Sequence, residues 1–247
     1  MWGKEYEVNT PEIFSGAYYR YDLNRLVILM KHKHKKVLIS VSKMLDRSEV
    51  GKKAVILDDQ NWNYFYSGIN GLGLKLIGSM ETYIYDSASI QVIYETDPAS
   101  PRTVFMIFKW LKAGWADMNL VRHSHIYEGS VRCLEGLKQV LESRALPDSD
   151  VFAMKMEYIK ALPEAELDVI IRDYAINFER IAKKNKGMSV KDFTRIIAGG
   201  GYASTLNREE RQGALALECL KRQLGKTALV EFDFPPLPGK TLAEIRP

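Results

Sequence analysis

The sequence predicts an α+β fold: an N-terminal antiparallel β-sheet or partial barrel covered by a helix, followed by a C-terminal helical region. Three observations predict it. Apolar residues recur with a period of about two before residue 123 and about 3.6 after residue 127. No proline falls between Glu12 and Asp97, as uninterrupted strand ladders require. The connections between apolar runs are short, which favours antiparallel neighbours, because parallel pairs need long crossovers.

The strands follow in order. Tyr18 to Tyr21 forms a first run, and Asp22-Leu23-Asn24 reads as a turn. Leu26–Met30 and Val37–Val41 flank the polar stretch Lys31-His32-Lys33-His34-Lys35-Lys36, which predicts a hairpin with a basic tip. Ala54–Leu57 and Trp62–Tyr66 flank the turn residues 58–61. Runs at 82–85 and 89–94 sit around Asp86-Ser87, and Asp97-Pro98-Ala99-Ser100-Pro101 is a loop. Thr103–Leu111 and Met118–Val121 flank the turn Ala113-Gly114-Trp115-Ala116-Asp117. Seven to nine strands are expected.

The helices come next. Val131, Leu134, Leu137 and Leu141 share a stripe over 127–143, which predicts the helix that covers the sheet. Asp148–Ala161 suits strand and helix alike, and the flanking prolines with Ser149 as an N-cap tip the reading to helix. Leu167, Ile170, Ile171, Tyr174, Phe178 and Ile181 form a long stripe after Pro163. Ser189 with Asp192 opens a short helix, and Gly199-Gly200-Gly201 closes it. Asn207 with Glu210 predicts a capping box for a helix ending before Gly225. The tail holds one expected strand, 229–234, and the segment Pro235-Pro236-Leu237-Pro238. The expected domains are 1–145 and 146–247.

Composition narrows the function classes. With 247 residues, 46% apolar and 27% charged, the chain can bury a core without disulfides or a structural metal. A net charge of +4 is too small and too dispersed for a dedicated nucleic-acid binder. No apolar run reaches the length of a transmembrane helix. The opening Met1-Trp2-Gly3-Lys4-Glu5 has no signal-peptide character, so a cytoplasmic location is the default, with export open to a chain that has lost its leader. Cys133 and Cys219 match no zinc or redox spacing and read as small apolar side chains, although a disulfide between them stays open.

The motifs that could carry chemistry are few. His32/His34 and His123/His125 are spaced so that, in a strand, each pair would share a face and could chelate a metal. Neither pair has a carboxylate cluster beside it, so no metal or cofactor is expected, with His123 and His125 the weak candidates. Asp59-Gln60-Asn61-Trp62-Asn63 spaces oxygen ligands as a calcium loop would, but it lacks the glycine and the bidentate glutamate and reads as a turn. No nucleophile elbow, Rossmann fingerprint or metalloprotease helix is present. The aromatic residues are the most informative. Tyr19 with Tyr21, Tyr64 with Tyr66, and Tyr83 with Tyr85 each share a strand face, and Trp110 and Trp115 follow. They predict an aromatic-lined pocket or groove for an apolar small molecule or a protein segment, in a non-catalytic binding protein. Two alternatives stand beside it: an enzyme, such as a hydrolase, with its site near His123/His125, and binding of anionic surfaces or nucleic acid through 31–36.

Overall fold

The computed structural model describes all residues except 12–15, 75–77, 98–99, 186–188, 233 and 235–247. It is α+β, with an antiparallel sheet in the N-terminal part and helices after it. The strands are β1 (Trp2–Val8), β2 (Ala17–Tyr18), β3 (Arg20–His32), β4 (Lys35–Met44), β5 (Lys52–Asp58), β6 (Asn63–Asn70), β7 (Leu72–Leu74), β8 (Gly78–Met80), β9 (Tyr83–Asp97), β10 (Ser100–Trp115) and β11 (Met118–Asn119). The helices are α1 (His123–Leu141), α2 (Ser149–Ala161), α3 (Glu164–Lys184), α4 (Val190–Ala198) and α5 (Arg208–Gln223), with a 3₁₀ turn at Tyr202–Thr205. The chain divides into two compact units. One comprises Met1–Lys53 and Asn70–Cys133, the other Ala54–Ile69 and Leu134–Pro247. The hairpin residues 54–69 thus group with the helices, although they lie within the span read as a sheet domain.

The first unit is built on a six-stranded antiparallel sheet of order β1-β3-β4-β9-β10-β11. Two-residue loops set its hairpins. Lys33 (φ 47°) and His34 (φ 67°) adopt the left-handed conformation that matches strand twist, and so do Ala116 (φ 48°) and Asp117 (φ 62°). Asp22-Leu23-Asn24, expected as a turn, lies inside β3: Leu23 points into the core while Asp22 points to solvent, so these polar residues mark an outer face and not a reversal. Asp86 and Ser87 likewise fall within β9, where Asp86 pairs with Lys112 in register and its carboxylate binds the Lys43 ammonium. A single strand of 15 residues replaces the two expected. β1 was not foreseen, because its residues mix charged and apolar side chains over only 7 positions.

A small core sits at one end of this sheet. Tyr19, Tyr21, Leu23, Met44, Ile84 and Ala113 are buried, with Leu111 and Val121 against them. Tyr19 Oη donates to Thr82 Oγ1 (3.1 Å), and the Ile84 N–H donates to the buried Ser48 Oγ (2.9 Å). A Cβ at Gly51 would lie 2.6 Å from the Tyr19 ring, so glycine is what lets this backbone pass. α1 is longer than expected at its N-terminus and buries none of its residues: Val131, Leu134 and Leu137 are half-buried, and Leu141 is exposed. The periodicity fixed an apolar stripe, but not the surface that the stripe meets.

The second unit holds the larger core. The α3 stripe Leu167, Ile171, Tyr174 and Phe178 is buried, each side chain contributing about 1.5–3 kcal/mol by removal from water. Phe65 from β6 lies 4.5 Å from the Tyr202 ring and 5.5 Å from the Phe178 ring, centroid to centroid. The expected caps are present. Ser189 Oγ accepts from Asp192 N–H (3.1 Å), and Asn207 and Glu210 form the reciprocal box (2.9 and 2.8 Å). The N-cap of α2 is Asp148, one residue before the expected Ser149. Gly199–Gly201 closes α4 as read: Gly201 (φ 80°) donates to the Ile196 carbonyl and leads into the 3₁₀ turn. Residues 229–232, expected as a strand, carry no ladder. The Leu229 N–H is instead taken by the Glu218 carboxylate, and the Leu229 carbonyl by Asn177. The proline-rich 235–238 lies outside the described residues.

Candidate functional site

The sheet of the first unit continues well beyond its core, and there it is apolar and open. The registers place Trp2, Leu26, Val41, Ile90 and Phe108 in one row across five strands. The next rows are Ile28, Ile39, Val92, Met106 and then Met30, Val37, Tyr94, Val104. Successive rows are two residues apart, so all three project from one face. The edge-strand members stay exposed: Trp2 67%, Met30 44%, Phe108 52% and Trp110 56%. The opposite face in the same stretch carries one apolar row, Leu29, Leu38, Ile93 and Phe105, with Ser40 and Gln91 in the row on one side and Lys31, Lys36, Glu95 and Thr103 on the other.

Sequence reasoning placed these strands but did not single out this face. The signal was there: Leu26-Val27-Ile28-Leu29-Met30 is a continuous run without alternation, the pattern of a strand apolar on both sides. Such a strand ordinarily has both faces covered.

The basic tip is confirmed as the end of the β3–β4 hairpin, with His32 opposite Lys35. Lys31, Lys33 and Lys36 are exposed there. The tips of β3–β4 and β9–β10 lie at the same end of the sheet, because Val37 pairs with Tyr94.

The predicted aromatic residues divide between the two units. Tyr19 and Tyr21 are buried in the small core of the first unit. The Tyr21 hydroxyl donates to Glu7 (2.6 Å), and burial together with that carboxylate pushes its ionisation well above the usual tyrosine range. Tyr83 and Tyr85 lie side by side on β9 with ring centroids 6.1 Å apart. Arg47 stacks over Tyr83, and the Tyr85 hydroxyl accepts the Asp117 N–H (2.7 Å). Trp110 and Trp115 stand exposed on β10. Tyr64 and Tyr66 belong to β6 in the second unit, where the Tyr64 hydroxyl donates to Asp59 (2.6 Å). A shallow cleft of about 460 Å³ lies between α3 and residues 228–231, walled by Asp173, Arg180 and Glu231, and none of these aromatics lines it.

The histidine pairs lack the geometry that chelation through a strand would need. His34 sits in the hairpin turn, while His123 and His125 open α1, where residues two apart do not face each other. His125 Nδ1 receives the Arg122 N–H at 3.5 Å. Among the described residues no three histidine, cysteine or acidic side chains gather as a metal set. Asp58 accepts from the N–H groups of Gln60 (3.0 Å) and Asn61 (3.2 Å) and from the Asn61 amide, so this loop is an Asx turn. Its carboxyl is held below the usual range, first by the Asn61 side chain. Both cysteines are free thiols, Cys219 buried and Cys133 exposed. Among the described residues no helix is long and apolar enough to cross a membrane.

In the second unit one buried polar cluster stands out. Lys221 Nζ donates to Asn63 Oδ1 (2.8 Å) and Glu218 Oε1 (2.6 Å), with both charged side chains sealed from solvent. Both Glu218 carboxylate oxygens are bound, Oε1 by Lys221 and Oε2 by the Leu229 N–H, so the cluster acts as an internal clip.

Comparison with models of known families, with curated proteins and with solved structures finds no match.

Proposed function

We propose that the protein is a non-catalytic interaction protein that works by burying the open apolar face of its six-stranded sheet against another polypeptide. One observation carries this reading: three apolar rows share one face of the sheet, with Trp2, Phe108 and Trp110 exposed at its edges. The largest apolar patch on a typical monomer covers about 300–600 Å² and is often functional. Four strands at about 4.8 Å and three rows at about 7 Å give a projected patch of roughly 400 Å². The ligand-pocket form of this function has less support, because the tyrosines are spent on cores and turn contacts.

The test pairs an environment-sensitive apolar dye, anilinonaphthalene sulfonate, with light scattering. Wild-type protein either binds the dye through an open face or migrates as an assembly that hides it. The variant Met106→Lys/Phe108→Lys, altered only at exposed positions, loses whichever is seen. Wild-type protein that is monomeric and leaves the dye dark would sink the proposal.

A further inference from the structure

We propose that the stretch following α5, residues 226–232 with Phe234, is a displaceable strap seated in a peptide groove of the second unit, and that the groove takes in its place a partner's linear segment of the same chemistry: an apolar residue followed by phenylalanines interleaved with acidic residues. The groove lies wholly within the second unit and shares no residue with the sheet face, so it is a second interaction site.

Side chains hold the strap where a strand would ordinarily do so. The chain leaves α5 through Leu224 and Gly225 (φ 70°), carries no ladder and bends at Leu229. Asn61 Oδ1 accepts the Thr227 N–H (2.9 Å), the Glu218 carboxylate accepts the Leu229 N–H, and Asn177 Nδ2 donates to the Leu229 carbonyl (2.8 Å). These bonds go to main-chain groups common to almost every residue, so they seat a peptide without reading its sequence. Specificity then falls to the side chains, as it does when a peptide adds to a sheet edge. Phe232 lies 4.8 Å from Phe234, and Phe234 turns edge-on to Tyr158 of α2 at 5.6 Å, centroid to centroid. Lys155, also on α2, sets the charge preference. It is only 5% exposed, a rare place for an ammonium without a carboxylate. Its Nζ stands 5.2 Å from the centre of the Phe234 ring, and among the described residues no carboxylate binds it. A segment that brings both a ring and an acidic group to this lysine has an advantage over one that brings the ring alone.

Three features make the strap exchangeable. Leu229, Val230, Phe232 and Phe234 are half-buried, whereas Ile159, Phe178 and Leu215 of the core they pack against are sealed. The strap also leaves its groove partly unfilled: the cleft of about 460 Å³ runs between α3 and residues 228–231. Finally, Leu229 closes over Glu218, which is paired with Lys221 out of water. Charges buried in this way carry a desolvation penalty that their attraction need not repay. Lifting Leu229 lets water back to Glu218 Oε2 and offsets part of what the strap loses on leaving.

The experiment reads amide hydrogen exchange and peptide binding on the full chain. The probe is a fluorescein-labelled, C-terminally amidated peptide with the residues of 226–234, Lys-Thr-Ala-Leu-Val-Glu-Phe-Asp-Phe. One control peptide is methylated on the leucine nitrogen, which removes the N–H that Glu218 accepts, and another carries glutamine and asparagine in place of its two acids. In wild type the Thr227 and Leu229 amides should exchange at least tenfold faster than those of Leu215 and Cys219 in α5, as a locally opening segment does. In Phe232→Ser/Phe234→Ser they should exchange faster still with α5 unchanged, and the probe should bind at least tenfold more tightly than to wild type. The methylated peptide should bind that variant at least tenfold more weakly than the probe. Adding Lys155→Met should weaken the acidic probe and leave the amide control unchanged. Strap amides as slow as those of α5 in wild type would show a fixed part of the fold and overturn the proposal, whatever the variants do. Equal binding of the probe to wild type and to the strap variant, or of the methylated peptide and the probe, would overturn it too. An affinity indifferent to Lys155 and to the acids would overturn the assigned partner chemistry. Adding Met106→Lys/Phe108→Lys should change none of this, and loss of binding there would place the peptide on the sheet and overturn the groove.

Discussion

Lys221 is fully enclosed, and among the described residues its ammonium is held by Asn63 and Glu218. Burial lowers its pKa, while the Glu218 carboxylate works against that shift. Removing one member of such a pair strands the other charge in the interior, at a cost of about 3–5 kcal/mol. Lys221→Met is expected to lose that much in urea denaturation, and adding Glu218→Gln to it should restore part of the loss. Tyr21 gives a pH dependence of definite sign. Burial first, and then Glu7, hold its proton on in the folded state, whereas an unfolded tyrosine releases it near pH 10. Above about pH 10 the folded state thus binds more protons than the unfolded one, and stability falls as pH rises. Tyr21→Phe should flatten that fall in a series of alkaline melts. An unchanged slope would mean that the hydroxyl is more open to water than its contacts indicate.

At the scale of elements, what the sequence disclosed depended on whether the decisive contact was local. The α4 and α5 caps and the glycine stop at 199–201 are set by bonds spanning a few residues, and these read correctly. The hairpin at 31–36 also read correctly, because a polar tip between two apolar runs is local information. Polar residues within long strands did not. Asp22 and Asp86 looked like turns, yet each lies on the outward side of a strand whose neighbours were invisible from the sequence. The allotment of Tyr64 and Tyr66 to one packed unit and of Tyr19 and Tyr21 to the other leaves no trace in spacing. Nor could periodicity say that α1 would bury nothing while α3 buried six residues. This contrast makes a prediction. Helices hold mainly through the packing of a buried face, so the α1 amides should exchange with solvent at least tenfold faster than those in the middle of α3. Equal protection would show that α1 is covered by something other than the residues described.

For the whole molecule, the open sheet should govern solution behaviour. Excluded salts strengthen the burial of apolar surface. Wild-type protein should therefore salt out at a lower ammonium sulfate concentration than Met106→Lys/Phe108→Lys, at equal protein concentration and pH. Coincident precipitation curves would mean that the exposed rows do not dominate its solubility. The segregation of residues 54–69 bears on biosynthesis. Phe65 leaves the ribosome early, yet its partners Phe178 and Tyr202 are made only after residues 70–133 have intervened. A nascent chain therefore carries that phenylalanine without its native partners through most of translation, which makes synthesis speed part of the folding problem.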